Sequence, residues 1–287
     1  HHGIRRSQYG EMAEALFLTQ GFAYDSAEQA EGRFQKVGPD EFIYARYGNP
    51  TSRMFEDRMA SLEGTEDAFA TASGMAAVNG ALMAIARPGE RIVAARQLFG
   101  SCLYVLDILK RFGVDVVLLD GTDLDQWRAA VTPGTRAVFF ETVSNPTLEV
   151  MDIAGIADIA HAAGALVVVD NVFATPVFSR AVDQGADVVI YSTTKHVDGG
   201  GRALGGRAGI VVPHVGHAVD RLAAASQRPS ARARARIPSA KTNGSPAPRI
   251  RPTRPSTPPR PASQNVRMPR IPSTSEAMPS PRPGTGA

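Results

Sequence analysis

Lys195 stands at the end of an apolar run and directly after three hydroxyl residues, Ser192, Thr193 and Thr194. The run, residues 188–191, predicts a buried strand, and in open α/β sheets ligands bind beyond the carboxyl ends of the strands. The amine could neutralise a phosphate as in a P-loop, but the glycines of that motif are missing upstream of it. It could instead be a nucleophile that forms a Schiff base, with the hydroxyl groups holding a phosphate beside it. A solvated loop residue is the ordinary interpretation of a lysine that stands alone.

Asp170 ends a second apolar run, residues 165–169, which predicts another strand. A carboxylate at the tip of a neighbouring strand is the partner that a protonated pyridine nitrogen needs, because the opposite charge favours the protonated ring. Lys195 and Asp170 together therefore favour Schiff-base chemistry on a pyridine ring over a solvated lysine.

Asp170 and residues 192–195 resemble the pyridoxal-phosphate (PLP) attachment region of the Cys/Met-metabolism (trans-sulfuration) family, fold-type I. The resemblance covers roughly residues 3–212, and several separate motifs fall in the family's order. Among the branches of the family, the chain looks most like the O-succinylhomoserine sulfhydrylases, because its opening stretch and its glycine-rich segment 199–206 match that branch. Two positions depart from the family pattern: His196 replaces an aromatic residue, and Gly200 replaces His or Gln.

The resemblance implies PLP as the cofactor, attached to Lys195, with Asp170 at the ring nitrogen. A small-residue turn at residues 72–77 opens a predicted helix, whose free N–H groups and dipole favour an anion. Such turns open many helices, so the signal is weak by itself. Joined to Lys195 and Asp170, the turn is expected to cradle the phosphate with these residues: Ser73, Gly74, Met75, Ser192 and Thr194.

Four further positions correspond to family site residues: Tyr44, Arg46 and Asn145 match the family directly, whereas Phe99 stands where much of the family has Tyr and the sulfhydrylase branch tends to have Phe. Phe99 is expected to stack on the ring, without the hydroxyl that a Tyr would bring, and a buried core Phe is the plain alternative. Asn145 is expected to bond the ring hydroxyl oxygen, although it also suits a simple Asn-Pro turn. Tyr44 and Arg46 are expected to reach the cofactor phosphate of a partner subunit, the alternative being ordinary loop residues. The catalytic positions are thus expected to be Lys195, Asp170 and Phe99, and no metal site is expected.

Strands and helices alternate along the chain, which predicts an α/β fold with a mostly parallel sheet and helices on both faces. By the resemblance, this is the large domain of PLP-dependent transferase fold-type I. We expect an N-terminal arm at residues 1–50, an incomplete PLP-binding domain at 51–213 and a tail at 214–287. The glycine-rich segment 199–209 lacks the dinucleotide fingerprint and precedes its nearest predicted strand, residues 208–212, so a dinucleotide site is not expected. The segment predicts a flexible loop at the mouth of the site.

The composition changes abruptly in the tail. Residues 214–287 hold 13 of the 31 Lys and Arg but 2 of the 28 Asp and Glu, together with 14 of the 21 prolines and no Phe, Trp or Tyr. Such a segment cannot build a core, so we expect it to be disordered. Its positive charge predicts at most weak, sequence-blind binding to nucleic acid, and the switch in composition suggests a shifted reading frame.

The rest of the sequence favours a cytoplasmic protein. It has no apolar run of membrane-spanning length, and its single cysteine, Cys102, argues against a disulfide framework. Cys102 itself is expected to be a small buried helix residue.

The resemblance implies γ-replacement on O-succinylhomoserine or O-acetylhomoserine with sulfide, giving homocysteine in methionine biosynthesis. The small-molecule substrate would meet a homodimer or homotetramer. The alternatives are a cystathionine γ-synthase or γ-lyase of the same family, or a truncated, inactive product with a basic tail. Family members hold the substrate α-carboxylate with an arginine of a C-terminal domain that this sequence does not reveal, although Arg202 and Arg207 could meet substrate carboxylates.

Overall fold

The computed structural model describes residues 3–38 and 40–210. The predicted disordered tail, residues 214–287, lies outside the described residues. Within the described ranges, the helices are too short or too polar to cross a membrane.

Seven strands form one sheet in the order β1-β7-β6-β5-β4-β2-β3. The strands are β1 (Asp67–Thr71), β2 (Arg91–Ala95), β3 (Asp115–Leu119), β4 (Thr135–Glu141), β5 (Leu166–Asp170), β6 (Val188–Ser192) and β7 (Gly206–Ile210). The pairs β2/β3, β2/β4, β4/β5 and β5/β6 are parallel, and β7 runs antiparallel to both β1 and β6. The prediction of a mostly parallel sheet is therefore confirmed.

Helices connect the strands on both faces of the sheet. They are α1 (Ala27–Gln35), α2 (Pro50–Glu63), α3 (Gly74–Ile85), α4 (Gly100–Arg111), α5 (Leu124–Ala130), α6 (Ile153–Ala162) and the single turn α7 (Thr175–Phe178), followed by a 3-10 helix (Ala181–Gln184). Phe139 packs in a core cluster with α3 and α4, whereas its neighbour Phe140 packs in a second cluster with α5 and α6. Because successive strand residues point to opposite faces, a sheet covered on both sides needs strands that are apolar throughout. This explains the continuous apolar runs in the sequence.

The parallel arrangement brings three polar residues to one edge of the sheet. Glu141, Asp170 and Ser192 are the last residues of β4, β5 and β6. These three strands are adjacent and parallel, so their carboxyl ends, and the loops that follow them, share the same edge. This edge is the part of an α/β sheet where ligands bind.

Two local features differ from the expectation from sequence. The N-terminal residues contain α1, where we expected only an extended arm; none of its residues is buried, so no apolar periodicity announced it. Strand β7 overlaps the strand predicted at residues 208–212 but begins earlier, at Gly206, inside the predicted glycine-rich loop. A Cβ at Gly206 would lie 2.1 Å from the carbonyl oxygen of Ser73, so this glycine serves close packing of two backbone segments.

Candidate active site

A pocket opens at the carboxyl ends of β4, β5 and β6, beside the amino ends of α3 and α4. Seven of the residues expected from the sequence line this pocket, namely Gly74, Met75, Phe99, Asn145, Asp170, Ser192 and Lys195. Six further residues complete the lining: Val78, Cys102, Glu141, Val143, Val172 and Phe173. The strand ends therefore bring the predicted amine and the predicted carboxylate to one cavity.

Asp170 lies at the carboxylate end of the pocket. Its side chain is buried and accepts the backbone N–H of Val172 at 3.1 Å. Burial, and next the charge of Glu141, raise the pKa of Asp170 to about 7. Among the described residues neither carboxylate forms a salt bridge, so the site would be stabilised by a cation between them.

The amino end of α3 forms the opposite, anion-binding part of the pocket. Ser73 is the N-cap, and its hydroxyl oxygen accepts the N–H of Ala76 at 3.1 Å. The first N–H groups of a helix have no partner within the helix. Those of Gly74 and Met75 begin α3 at the pocket wall and suit a phosphate. Ser192 closes this end, since its Cβ would lie 2.6 Å from a Cβ placed on Gly74.

Lys195 lies in the turn after β6 and is exposed to solvent. Its backbone N–H donates to the carbonyl of Ser192 at 3.3 Å, and its own carbonyl accepts the N–H of Gly199 at 2.8 Å. The adjacent His196 has its ring centroid 6.2 Å from that of Phe173, a pocket residue. His196 thus keeps a ring contact where the family usually has an aromatic side chain.

Four expected site residues lie outside the pocket lining. Ser73 uses its hydroxyl to cap α3, and the Thr194 hydroxyl accepts the N–H of Gly205 at 3.0 Å. The Arg46 guanidinium lies 4.8 Å from the ring centroid of Tyr44 and 5.3 Å from that of Tyr47. The roles of Ser73, Thr194, Tyr44 and Arg46 at the cofactor stay predictions. Arg202, which could have met a substrate carboxylate, instead bonds the carbonyl of Asp198 at 2.8 Å.

Glu141 and Cys102 are the polar pocket residues that the sequence analysis missed. Glu141 ends a predicted strand just as Asp170 does, so the same strand-end signal could have found it. Cys102 is buried in α4 as expected, and burial raises the pKa of its thiol, so the thiolate is disfavoured.

The lining of the pocket combines groups that suit a cation with groups that suit an anion. Ligand atoms of Cys102, Glu141 and Asp170 lie within 4.8 Å of one another and are buried, a grouping that could hold a metal ion. A protonated ring nitrogen would supply the positive charge at the same place. The N–H groups at the amino end of α3 suit the phosphate of PLP, and Lys195, which lines the same pocket, carries an amine that can react with its aldehyde.

Known proteins are similar to this chain in sequence and in fold. The O-succinylhomoserine sulfhydrylase of Mycobacterium tuberculosis (H37Rv) is 54% identical over 206 residues, which are 71% of this chain and 50% of that protein. An L-methionine gamma-lyase of Fusobacterium nucleatum subsp. polymorphum is 38% identical over 211 residues, 72% of this chain and 52% of the lyase. A Campylobacter jejuni structure, assigned as an O-acetylhomoserine (thiol)-lyase and carrying N′-pyridoxyl-lysine-5′-monophosphate, superposes with a TM-score of 0.71 at 30% identity, covering 75% of this chain and 53% of its own.

The chain spans about half the length of the curated relatives it matches. Residues 1–229 match the model of a single protein family. The chain belongs to the Cys/Met metabolism PLP-dependent enzyme family.

Proposed function

We propose that the protein to which this chain belongs exchanges the γ-substituent of an O-acylated homoserine, favouring O-succinylhomoserine, for sulfide. The products are homocysteine and succinate. The observation that carries the proposal is the meeting of Lys195, Asp170 and the amino end of α3 in one pocket. The 54% identity to an O-succinylhomoserine sulfhydrylase supports the choice of substrate.

Each end of the pocket has a distinct task in this reaction. When bound, PLP supplies an electron sink for the negative charge that develops at the substrate carbon as a proton leaves. The Asp170 carboxylate holds the proton on the ring nitrogen, because an ionised carboxylate stabilises an adjacent cation. The N–H groups of Gly74 and Met75 bind the phosphate.

Lys195 Nζ is the group that attaches the cofactor and then moves protons. With a substrate bound, the free amine of Lys195 would remove the proton from the substrate Cα. Phe99 lines the pocket but carries no hydroxyl, so proton transfer falls to the lysine. Val78 and Phe173 give part of the lining an apolar character.

The test is an assay of the purified chain, loaded with PLP, on O-succinylhomoserine with sulfide. We expect homocysteine to form, and Lys195→Ala to abolish its formation. Reduction with borohydride, followed by peptide mass mapping, should place a pyridoxyl group on Lys195. Cofactor uptake without any thiol product would contradict the proposed reaction.

A lyase activity is the second candidate, favoured by the 38% identity to an L-methionine gamma-lyase. The same preparation is offered methionine, cystathionine and O-acetylhomoserine with sulfide in separate reactions. Cleavage of methionine or cystathionine, without thiol formation from either acylated homoserine, would replace the proposed activity by a lyase. A chain that neither binds PLP nor turns over any of these would be an inactive product.

A further inference from the structure

Glu141 is a buried carboxylate that the proposed reaction leaves without a task. It is the last residue of β4, is 5% exposed and lines the pocket beside Asp170. Burying a charge without a cationic partner costs free energy, so the presence of Glu141 at this position needs a physical explanation.

The two oxygens of Glu141 hold backbone groups on two different segments of the pocket. Oε1 accepts the N–H of Phe99 at 3.0 Å, and Oε2 accepts the N–H of Asn145 at 2.6 Å. Phe99 is the N-cap residue of α4 and has no side-chain hydrogen bond at that cap. One carboxylate therefore fixes both the aromatic residue expected to stack on the ring and the amide expected to bond the ring hydroxyl.

The position of Glu141 also adds charge where the ring nitrogen would sit. Glu141 and Asp170 are register partners on β4 and β5. A second negative charge beside Asp170 strengthens the preference of the pocket for a protonated ring. The hydrogen bonds of Glu141 act through Phe99 and Asn145, whereas its charge acts through space.

We propose that Glu141 is a positioning residue for the cofactor, which orients Phe99 and Asn145 around the ring and supports Asp170 at the ring nitrogen. This inference rests on the proposed use of PLP. The proposed role requires a hydrogen-bond acceptor at both side-chain oxygens of residue 141. A glutamine there cannot provide this, because its amide nitrogen would face an N–H.

The test compares Glu141→Gln with Glu56→Gln in the full chain. Glu56 is a suitable control, because its partly buried carboxylate also accepts a backbone N–H, that of Ala70 at 2.8 Å, but does not line the pocket. We expect Glu141→Gln to weaken PLP binding by roughly ten- to a hundredfold, as for a lost bond to a charged group. At saturating PLP we also expect a shifted visible absorbance band. Glu56→Gln should leave both the affinity and the band as in the wild type.

Glu141→Asp keeps the charge but shortens the side chain, so it cannot reach both N–H groups. We expect it to bind PLP with an affinity between those of the wild type and Glu141→Gln, and it serves as the test if the glutamine variant does not fold. Equal affinity and an unchanged band in the folded variants would overturn the proposal, whatever happens to thermal stability. A wild-type chain that takes up no PLP would overturn the proposed function and this inference together.

Discussion

Glu141 and Asp170 are paired neighbours at the carboxyl ends of β4 and β5, and both side chains are buried. Burial raises the pKa of both carboxyl groups, and the charge of Glu141 contributes to bringing that of Asp170 to about 7. In the absence of a cation the pair therefore tends to keep a proton near neutral pH. The same two carboxyl groups thus determine both the stability of the cofactor-free chain and the preference of the pocket for a cationic ring.

The cofactor-free chain should lose stability as the pH rises from about 4 to about 7. In the unfolded chain Asp170 releases its proton near pH ~3.9, whereas in the folded chain it does so at about 7. Between these values the folded state binds more protons, so the free energy of unfolding falls with pH, by up to roughly 4 kcal/mol for this group. Urea unfolding of the cofactor-free chain at several pH values measures the slope.

The Asp170→Asn variant isolates the contribution of Asp170 to the pH dependence of stability from the contributions of other titrating groups. The asparagine keeps an acceptor for the N–H of Val172 but carries no charge, so the variant should unfold at higher urea than the wild type at pH 8. The difference should shrink at pH 4, where Asp170 of the wild type is protonated. A variant no more stable than the wild type at pH 8 would show that Asp170 is not the strained carboxyl.

Gly74→Ala should damage the phosphate end of the pocket. The new Cβ would lie 2.6 Å from Cβ and 3.0 Å from Cα of Ser192, so β6 or the amino end of α3 must move. We expect PLP affinity to fall at least about tenfold and stability to drop by about 1–3 kcal/mol, as in overpacked sites. Titration with PLP and thermal unfolding provide the two measurements.

Gly80→Ala is the control on the same helix. Gly80 is exposed, and no atom lies within 4 Å of its added Cβ. Alanine is the better helix former by about 1 kcal/mol, so this variant should be more stable and bind PLP normally. If both variants lose PLP equally, crowding at Ser192 is not the cause.

The core of the site was predictable because strand ends are visible in the sequence. Lys195, Asp170 and Ser192 follow apolar runs, and such runs end at the ligand edge of a parallel sheet. Glu141 ends a run as well, but its importance depends on β4 lying next to β5. No single segment of the sequence determines the order of the strands, so the pairing of Glu141 with Asp170 could not be predicted.

Glycine-rich composition hid the start of strand β7, which begins two residues before the predicted strand at 208–212. Residues 199–209 lack the apolar pattern of a strand, yet Gly206 begins a strand that pairs with both β1 and β6. Its glycine allows the backbone to pass against Ser73 and Gly74. A side-chain pattern cannot report this requirement, because the contact is between backbones and spans distant parts of the chain.

Tyr191→Phe should destabilise the fold from inside the sheet. The Tyr191 hydroxyl donates to Glu63 and accepts from Asn171 Nδ2 at 2.6 Å, and Asn171 in turn accepts from Thr142 at 2.7 Å. Removing the hydroxyl takes one member from a buried network, which costs about 1–3 kcal/mol. Because Asn171 directly follows Asp170, PLP affinity should fall as well.

Tyr104→Phe provides the comparison for that loss. Tyr104 is 58% exposed on α4, where removal of a hydroxyl changes stability by no more than about 0.5 kcal/mol. Denaturant unfolding of the two variants should therefore differ clearly. Equal stability would mean that the buried network contributes nothing beyond packing.

Arg46 is expected to serve the site of a neighbouring subunit, and mixed oligomers can decide this. In its own chain the Arg46 guanidinium lies over Tyr44 and Tyr47 and is not part of the pocket lining. Chains carrying Arg46→Ala or Lys195→Ala should each be inactive alone. Coexpressed, they would form mixed dimers in which one site combines an intact Lys195 with an intact Arg46.

Thiol formation and borohydride trapping should then both return in the coexpressed sample. If Arg46 instead acted within its own chain, every site of a mixed dimer would lack one of the two groups, and neither signal could return. Wild type coexpressed with the double variant, Arg46→Ala with Lys195→Ala, sets the reference for random mixing. Dimers that form but remain inactive would place Arg46 outside the partner's site, because subunit exchange alone cannot repair a group missing from the same chain.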